Sequence, residues 1–286
     1  MQGTQKKPGG RRIAGMLVAL GLWAAQAHAA GPAIEEVEKL MELSGLNKHI
    51  QQLPAAIALG FDRQKGKLKQ ARADLVRQEL IASYQAQKMA DIVKTKLRDG
   101  WKKEAMDLER EWLSSPLGNK LMAMQSEGNR AETEGKLRAF AAGLDKTPPD
   151  AERVEVIARM IHFAGLNESA LDDNVMAVMT AAMIGVNAGQ QPEQQLTPGQ
   201  IAGVIVEARK NYAEPLRNEI LLRSLYTYRN ASQSDLESYA TFLESPAAKY
   251  FNGLVAKSMR EAIQAANADF ANRLQAIAEK LAGIGA

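Results

Sequence analysis

The chain has 286 residues, of which 46% are hydrophobic, 24% charged and 5% aromatic, a balance that excludes both an intrinsically disordered chain and a collagen-like one. It contains no cysteine, which excludes disulfides, thiolate nucleophiles, cysteine-ligated zinc and the attachment of c-type haem. The net charge is +3, but four of the 36 basic residues lie before residue 30, and the remaining 32 face 33 acidic residues. This near-neutral remainder predicts no nucleic-acid partner.

The first 29 residues have the three parts of a secretory signal peptide. Residues 6–12 carry four basic side chains, residues 13–25 form an uncharged apolar run, and Ala27-His28-Ala29 is a cleavage pattern of small residues. The apolar run is shorter than the roughly 20 residues that span a bilayer. We therefore predict cleavage after Ala29, or alternatively after Ala27, and a periplasmic or secreted protein without a membrane span after cleavage. An uncleaved anchor and twin-arginine export are the alternatives.

After residue 30, two stretches of sequence occur twice in the same order. Residues 40–47 (LMELSGLN) correspond to 160–167 (MIHFAGLN), and residues 112–120 (WLSSPLGNK) correspond to 242–249 (FLESPAAK). The two segments lie further apart in their second occurrence than in their first, and the polar stretch at 187–195 accounts for the additional residues. This pattern predicts a duplication, with a first helical unit at 30–146 and a second at 147–286.

Each unit is predicted to consist of about five helices, so the fold class is all-α. Strong helix formers are abundant, and alternating apolar and polar runs are lacking. The pairs Ser115-Pro116, Ser245-Pro246 and Thr197-Pro198 are typical of helix starts, because the hydroxyl accepts from a free backbone N–H and proline fits the first helical position. Only Pro54 and Pro215 fall inside helical patterns, where we expect a break or a kink.

Two further patterns concern the second unit. Ser232 and Asp235 resemble a capping box, with aspartate in place of the usual glutamate. Apolar residues then recur at steps of three or four along the last helix and predict that an apolar partner covers its whole length. The residues are Phe251, Leu254, Val255, Met259, Ile263, Ala266, Phe270, Leu274, Ile277 and Leu281. We expect the two units to pack together around a shared or adjoining core.

At these anchors the sequence resembles a family of exported bacterial helical proteins, the domain of unknown function numbered twenty fifty-nine, here in two tandem copies. Leu43-Ser44-Gly45 and the segment at 112–120, with its Ser-Pro-x-Gly, match the family pattern in the first copy. The second copy departs from it, with Ala164 before Gly165 and Ala248 in place of glycine. The resemblance implies a periplasmic helical protein without an assigned reaction, and it supplies no catalytic residues.

One pair of equivalent segments is apolar almost all round and forms the candidate apolar ligand or core face. Its residues are Leu53, Ile57, Phe61, Met176, Met179 and Met183. The three methionines share a helix face, so a Cu(I) site is one hypothesis, but thioethers also fill cores, and we predict no metal and no cofactor. A buried central helix and an exposed groove for a lipid or an unfolded segment both remain open.

Evidence for catalysis is weak. Glu244-Ser245 and 122–125 resemble fragments of lytic transglycosylases, but in reversed order and without the glycines of the second motif. His49 and His162 have no nucleophile motif nearby. We therefore expect an exported, non-enzymatic protein that binds or scaffolds in the cell envelope, with an envelope protein or an apolar ligand as its possible partner. The alternative is a periplasmic carrier or chaperone that holds a lipid or another apolar ligand between the two units.

Overall fold

The structure is a computed structural model that describes residues 32–64, 68–128, 133–144, 146–164 and 192–284, together with a few single positions between 180 and 190. This part of the chain is helical and contains no strand, as predicted. A single 3-10 turn covers Pro192–Gln194. The α-helices are α1 (Ile34–Leu43), α2 (Leu46–Gln64), α3 (Gln70–Ser83), α4 (Ala86–Asp99), α5 (Lys103–Ser114), α6 (Pro116–Gly128), α7 (Thr133–Leu144), α8 (Ala151–Phe163), α9 (Pro198–Thr227), α10 (Gln233–Leu243), α11 (Pro246–Ala276) and α12 (Ala278–Gly283).

The described helices differ in length between the two halves of the chain. Residues 30–146 contain α1–α7, more than the five or so expected, because the backbone leaves the helical conformation at Tyr84 and at Ser115. By contrast, α9 and α11 run for 30 and 31 residues without such an interruption. Helix α1 ends at a turn in which Gly45 has a φ of 72°. Glycine suits this left-handed position because it has no Cβ to clash with the backbone.

The predicted helix starts are confirmed. Ser115 Oγ accepts from the backbone N–H of Gly118 at 3.0 Å, and Ser245 Oγ accepts from that of Ala248 at 3.2 Å. Both hydrogen bonds of the capping box between Ser232 and Asp235 are formed, and Thr197 caps α9 in the same way. Of the break or kink expected at Pro54 and Pro215, the break does not occur, because α2 and α9 continue through their prolines.

One core lies between α1–α4 and α11. Its buried side chains include Val37, Ile50, Ile57, Phe61, Val76, Leu80, Val93, Leu97, Met259, Ile263 and Phe270. The apolar stripe predicted for the last helix is confirmed: it is buried or half-buried along its length and continues into α12 through Leu281. Its partners come from the first half of the chain.

A second core lies between α8, α9 and α10, with α6 added from the first half of the chain. Leu121 of α6 is fully buried among Val156, Ile157, Leu225 and Leu236. The side chain of Lys120, also on α6, donates to Asp235 on α10 at 2.6 Å. Each core therefore contains a helix from the other half: α11 packs on α3, α4 and α5, and α6 and α7 pack on α9.

Within the described part of the chain, no helix combines the length and the apolar character required to cross a membrane.

Candidate functional site: a cavity between the two halves

A cavity of about 490 Å³ lies between α2 and the helices α6, α8, α9 and α10. This volume falls within the range of roughly 300–1,000 Å³ that is usual for small-molecule sites. The cavity is partly open to solvent and mainly apolar. Helix α2 belongs to the first core and α8–α10 to the second, so the site exists only where the two halves meet.

Aliphatic side chains form most of the cavity wall. Helix α8 contributes Ile157, Met160 and Ile161, which share one face of the helix because they lie three and four positions apart. Leu53 closes the cavity from α2, and Leu243 closes it from α10. Ile157, Met160 and Leu243 are buried in the second core, so this part of the wall is held in place by packing.

The polar end of the cavity consists of Gln125, Tyr228 and Tyr239. Gln125 Nε2 donates to the hydroxyl of Tyr228 at 2.5 Å and, more weakly, to that of Tyr239 at 3.4 Å. The two tyrosine rings meet edge to face, with centroids 6.2 Å apart. Burial raises the pKa of Tyr228 well above its usual value and that of Tyr239 to about 12. Both phenols are therefore neutral hydrogen-bonding groups at physiological pH.

Aromatic stacking fixes the position of Tyr239. The ring of Trp112 stacks on Tyr239 at 4.8 Å between centroids and on Phe242 at 4.3 Å. Trp112 comes from the end of α5, whereas the other two residues lie on α10. Stacked rings restrict rotation of the side chains, so the Tyr239 hydroxyl is held at the wall of the cavity before any ligand arrives.

The charged residues at the cavity are already engaged or lie at its edge. Arg223 donates to Glu134 at 2.7 Å and to Glu219 at 2.9 Å, which leaves little of its charge for a ligand. His49 and Gln52 contribute from the exposed side of α2. Among the described residues, no carboxylate lines the cavity.

The residues of the predicted apolar face divide between the cavity and the core. Leu53 lines the cavity, whereas Ile57 and Phe61 are buried in the first core, at 1% and 0% exposure. Met183 is half-buried. Met176 and Met179 lie outside the described residues. Ile57 and Phe61 therefore belong to the core, whereas Leu53 lines the cavity and packs against the same core.

Of the residues considered for catalysis, Glu244 and Ser245 have structural roles, whereas His49 lines the cavity. Glu244 accepts from Arg159 at 2.6 Å, and Ser245 caps α11. His162 is exposed and lies edge to face with its neighbour Phe163. No group of three His, Asp or Glu side chains in the described ranges is arranged to hold a metal ion.

A second hollow, between α1, α2 and α4, differs in chemistry from the first. Its lining includes Glu35, Glu38, Glu42 and Lys94, and the pair Lys94–Glu38 is closed at 2.6 Å. Charged side chains that neutralise one another at an exposed surface are typical of a solvated helix face. We therefore take the cavity between the two halves as the candidate site.

Sequence reasoning did not identify Tyr228 and Tyr239 as site residues and considered Gln125 only as part of a weak enzyme motif. Gln125 and Tyr228 are separated by 103 residues, and Gln125 and Tyr239 by 114. A faint indication was present in α10, where Phe242 is the first residue of the segment at 242–249 and Tyr239 lies three residues before it, two of the chain's few aromatic side chains. No local pattern shows that these residues meet.

Comparison with known proteins gave no match to this chain among family models, curated proteins or solved structures.

Proposed function

We propose that the protein is a non-catalytic binding protein of the cell envelope that holds a small, mainly apolar ligand in the cavity between its two halves. The observation that carries this proposal is the cavity itself. It has a ligand-sized volume, a wall of aliphatic side chains and a small cluster of fixed polar groups at one end.

The chemistry of the cavity favours binding over catalysis. The described lining offers neutral phenols, amides and hydroxyls, and its one arginine is already paired with two carboxylates. General acid–base catalysis would require a titratable group with a pKa near the working pH and within reach of the ligand. The tyrosines do not meet this requirement, because burial moves their pKa values further from neutrality. His49 also lines the cavity, and burial lowers its pKa from 6.5, but the described lining holds no carboxylate to orient its imidazole.

We further propose that the protein is exported by its N-terminal signal peptide, that it arose by tandem duplication, and that it belongs to the family it resembles. The two cap motifs support the duplication: the serines of Ser115-Pro116 and Ser245-Pro246 make the same hydrogen bond at equivalent helix starts. The contacts of α1 with α4 and α5 are matched by those of α8 with α9 and α10. Gly45 supports the family assignment, since it occupies a turn that requires glycine.

Binding can be tested with diphenylhexatriene, a hydrocarbon dye that fluoresces in apolar surroundings. We expect the mature chain, residues 30–286, to bind it saturably. Ala56 and Ala55 are neighbouring exposed residues on α2, but only Ala56 lines the cavity. Ala56→Trp should therefore weaken binding about tenfold or more by occupying the space, an energetic cost of about 1.4 kcal/mol. Ala55→Trp should bind as the unsubstituted protein does.

Two results would contradict the proposed function. The first is the absence of saturable dye binding to the unsubstituted chain. The second is equal dye affinity of the Ala55→Trp and Ala56→Trp variants when circular dichroism shows both to be folded. If the dye binds as expected, native mass spectrometry of protein purified from its own periplasm would identify the natural ligand as a copurifying mass.

A further inference from the structure

The polar end of the cavity has more hydrogen-bond donors than acceptors. Gln125 donates its amide N–H groups to both phenolic oxygens, so each tyrosine must pass its own proton to another acceptor. Among the described residues, no hydrogen bond accepts the proton of either hydroxyl. Tyr239, whose side chain is 6% exposed, lines the cavity.

A buried donor without an acceptor destabilises the folded protein, and stacking on Trp112 restricts the Tyr239 ring from turning away to find one. A ligand that supplied an oxygen at this point would recover that energy. The same arrangement discriminates against a ligand whose polar end is itself only a donor, because two donors would then face each other without an acceptor.

The cavity also discriminates between neutral and anionic acceptors. Arg223 is neutralised by Glu134 and Glu219, so no free cation in the described lining balances a ligand carboxylate. Bringing an uncompensated charge into such surroundings is expensive.

We propose that the ligand is an uncharged acyl compound, an ester or amide of a hydrocarbon chain, whose carbonyl oxygen accepts the Tyr239 proton. Its chain would lie along Leu53, Ile157, Met160 and Ile161. This inference rests on the proposed function and specifies the ligand class of the same site. It assigns Gln125 as a positioning residue, since its amide donates to the Tyr239 hydroxyl.

The test compares three probes of similar chain length on the mature protein by isothermal titration calorimetry: methyl octanoate, octanoate and octylammonium. We expect the neutral ester to bind most tightly and octylammonium most weakly. Tyr239→Phe should weaken ester binding about fivefold, the value of one hydrogen bond of roughly 1 kcal/mol, and should leave diphenylhexatriene binding unchanged. The control is Tyr226→Phe, since Tyr226 is equally buried on α9 but does not line the cavity.

The inference is overturned if octanoate or octylammonium binds as tightly as the ester to the unsubstituted protein, a comparison that requires no variant to fold. It is also overturned if folded Tyr239→Phe retains full affinity for the ester. In both cases saturable binding of the hydrocarbon dye would leave the proposed function intact. Absence of saturable dye binding to the unsubstituted protein would contradict both the inference and the proposed function.

Discussion

Glu109 is a charged residue in an apolar position. It lies on α5 between the buried residues Met106 and Leu113, is itself 5% exposed, and no described residue donates a hydrogen bond to its Oε2. Burial raises the pKa of this carboxyl from 4.5 to about 7. Since Trp112 of the same helix stacks on Tyr239, Glu109 sits behind the polar end of the cavity, where its charge also raises the pKa of Tyr239.

The raised pKa makes stability depend on pH. The folded state binds the Glu109 proton more tightly than the unfolded chain does, so the free energy of unfolding should fall as the pH rises from about 4.5 to about 7 and then level off. Glu109→Gln should remove this dependence. At roughly pH 8 we expect the variant to be more stable than the unsubstituted protein by about 1–3 kcal/mol, and at roughly pH 5 the difference should be small.

Urea denaturation at the two pH values measures this difference. Glu111→Gln serves as the control, since Glu111 is exposed on the same helix and its substitution should change stability little at either pH. A pH-independent effect of Glu109→Gln would show that the carboxyl is not protonated in the folded protein.

At the scale of helices, the Ser-Pro-x-Gly motif makes a sharp junction between α5 and α6. Ser115 caps α6, and Gly118 brings the first turn of α6 against the end of α5. A Cβ added at Gly118 would overlap the carbonyl oxygen of Trp112. The contact is with backbone, so it cannot be relieved by a side-chain rotation. The glycine therefore sets the approach of α6 to the helix that carries Trp112.

Gly118→Ala should destabilise the protein by about 1–3 kcal/mol, the usual cost of forcing extra volume into a packed site. It should also disturb the near-ultraviolet circular dichroism of Trp112, because the stack on Tyr239 and Phe242 depends on the same backbone. Gly253→Ala is the control: nothing lies within 4 Å of the added Cβ, and the exposed helical position should gain up to about 1 kcal/mol. Equal stability of the two variants would contradict this role of the motif.

At the scale of the whole molecule, each half of the chain completes the core of the other. Helix α11 fills the first core, and α6, with α7, packs on the second. Phe251 of α11 is also buried with Leu40 and Met106 of the first half, in a third cluster. A half separated from its partner would expose the surface that these helices cover, and a domain loses most of its stability when its core is incomplete.

We therefore expect residues 30–146 and 147–286, expressed separately, to lack cooperative thermal unfolding. Coexpressed, they should copurify as a one-to-one complex with the helix content of the intact chain. Circular dichroism and size-exclusion chromatography measure both outcomes. If either half alone unfolded cooperatively with its full helix content, the exchanged helices would not be required for the stability of that half.

The sequence alone determined the features that depend on neighbours in the chain. The helix starts at Ser115-Pro116 and Ser245-Pro246 were predictable because a cap acts over three residues. The apolar stripe of α11 was predictable because helical period places its members on one face. Even the burial of Glu109 had a local indication, since it lies three residues after Met106 and four before Leu113.

The tertiary structure decided which distant surfaces meet. The stripe of α11 required an apolar partner, but its pattern fits any such surface equally well, and only packing selected α3, α4 and α5. The same holds for the cavity, where Gln125 meets Tyr228 and Tyr239 across more than a hundred residues. Helix caps and the helical period relate residues that are near in the chain, whereas burial of apolar surface does not depend on sequence separation, so the site forms only when the two halves pack against each other.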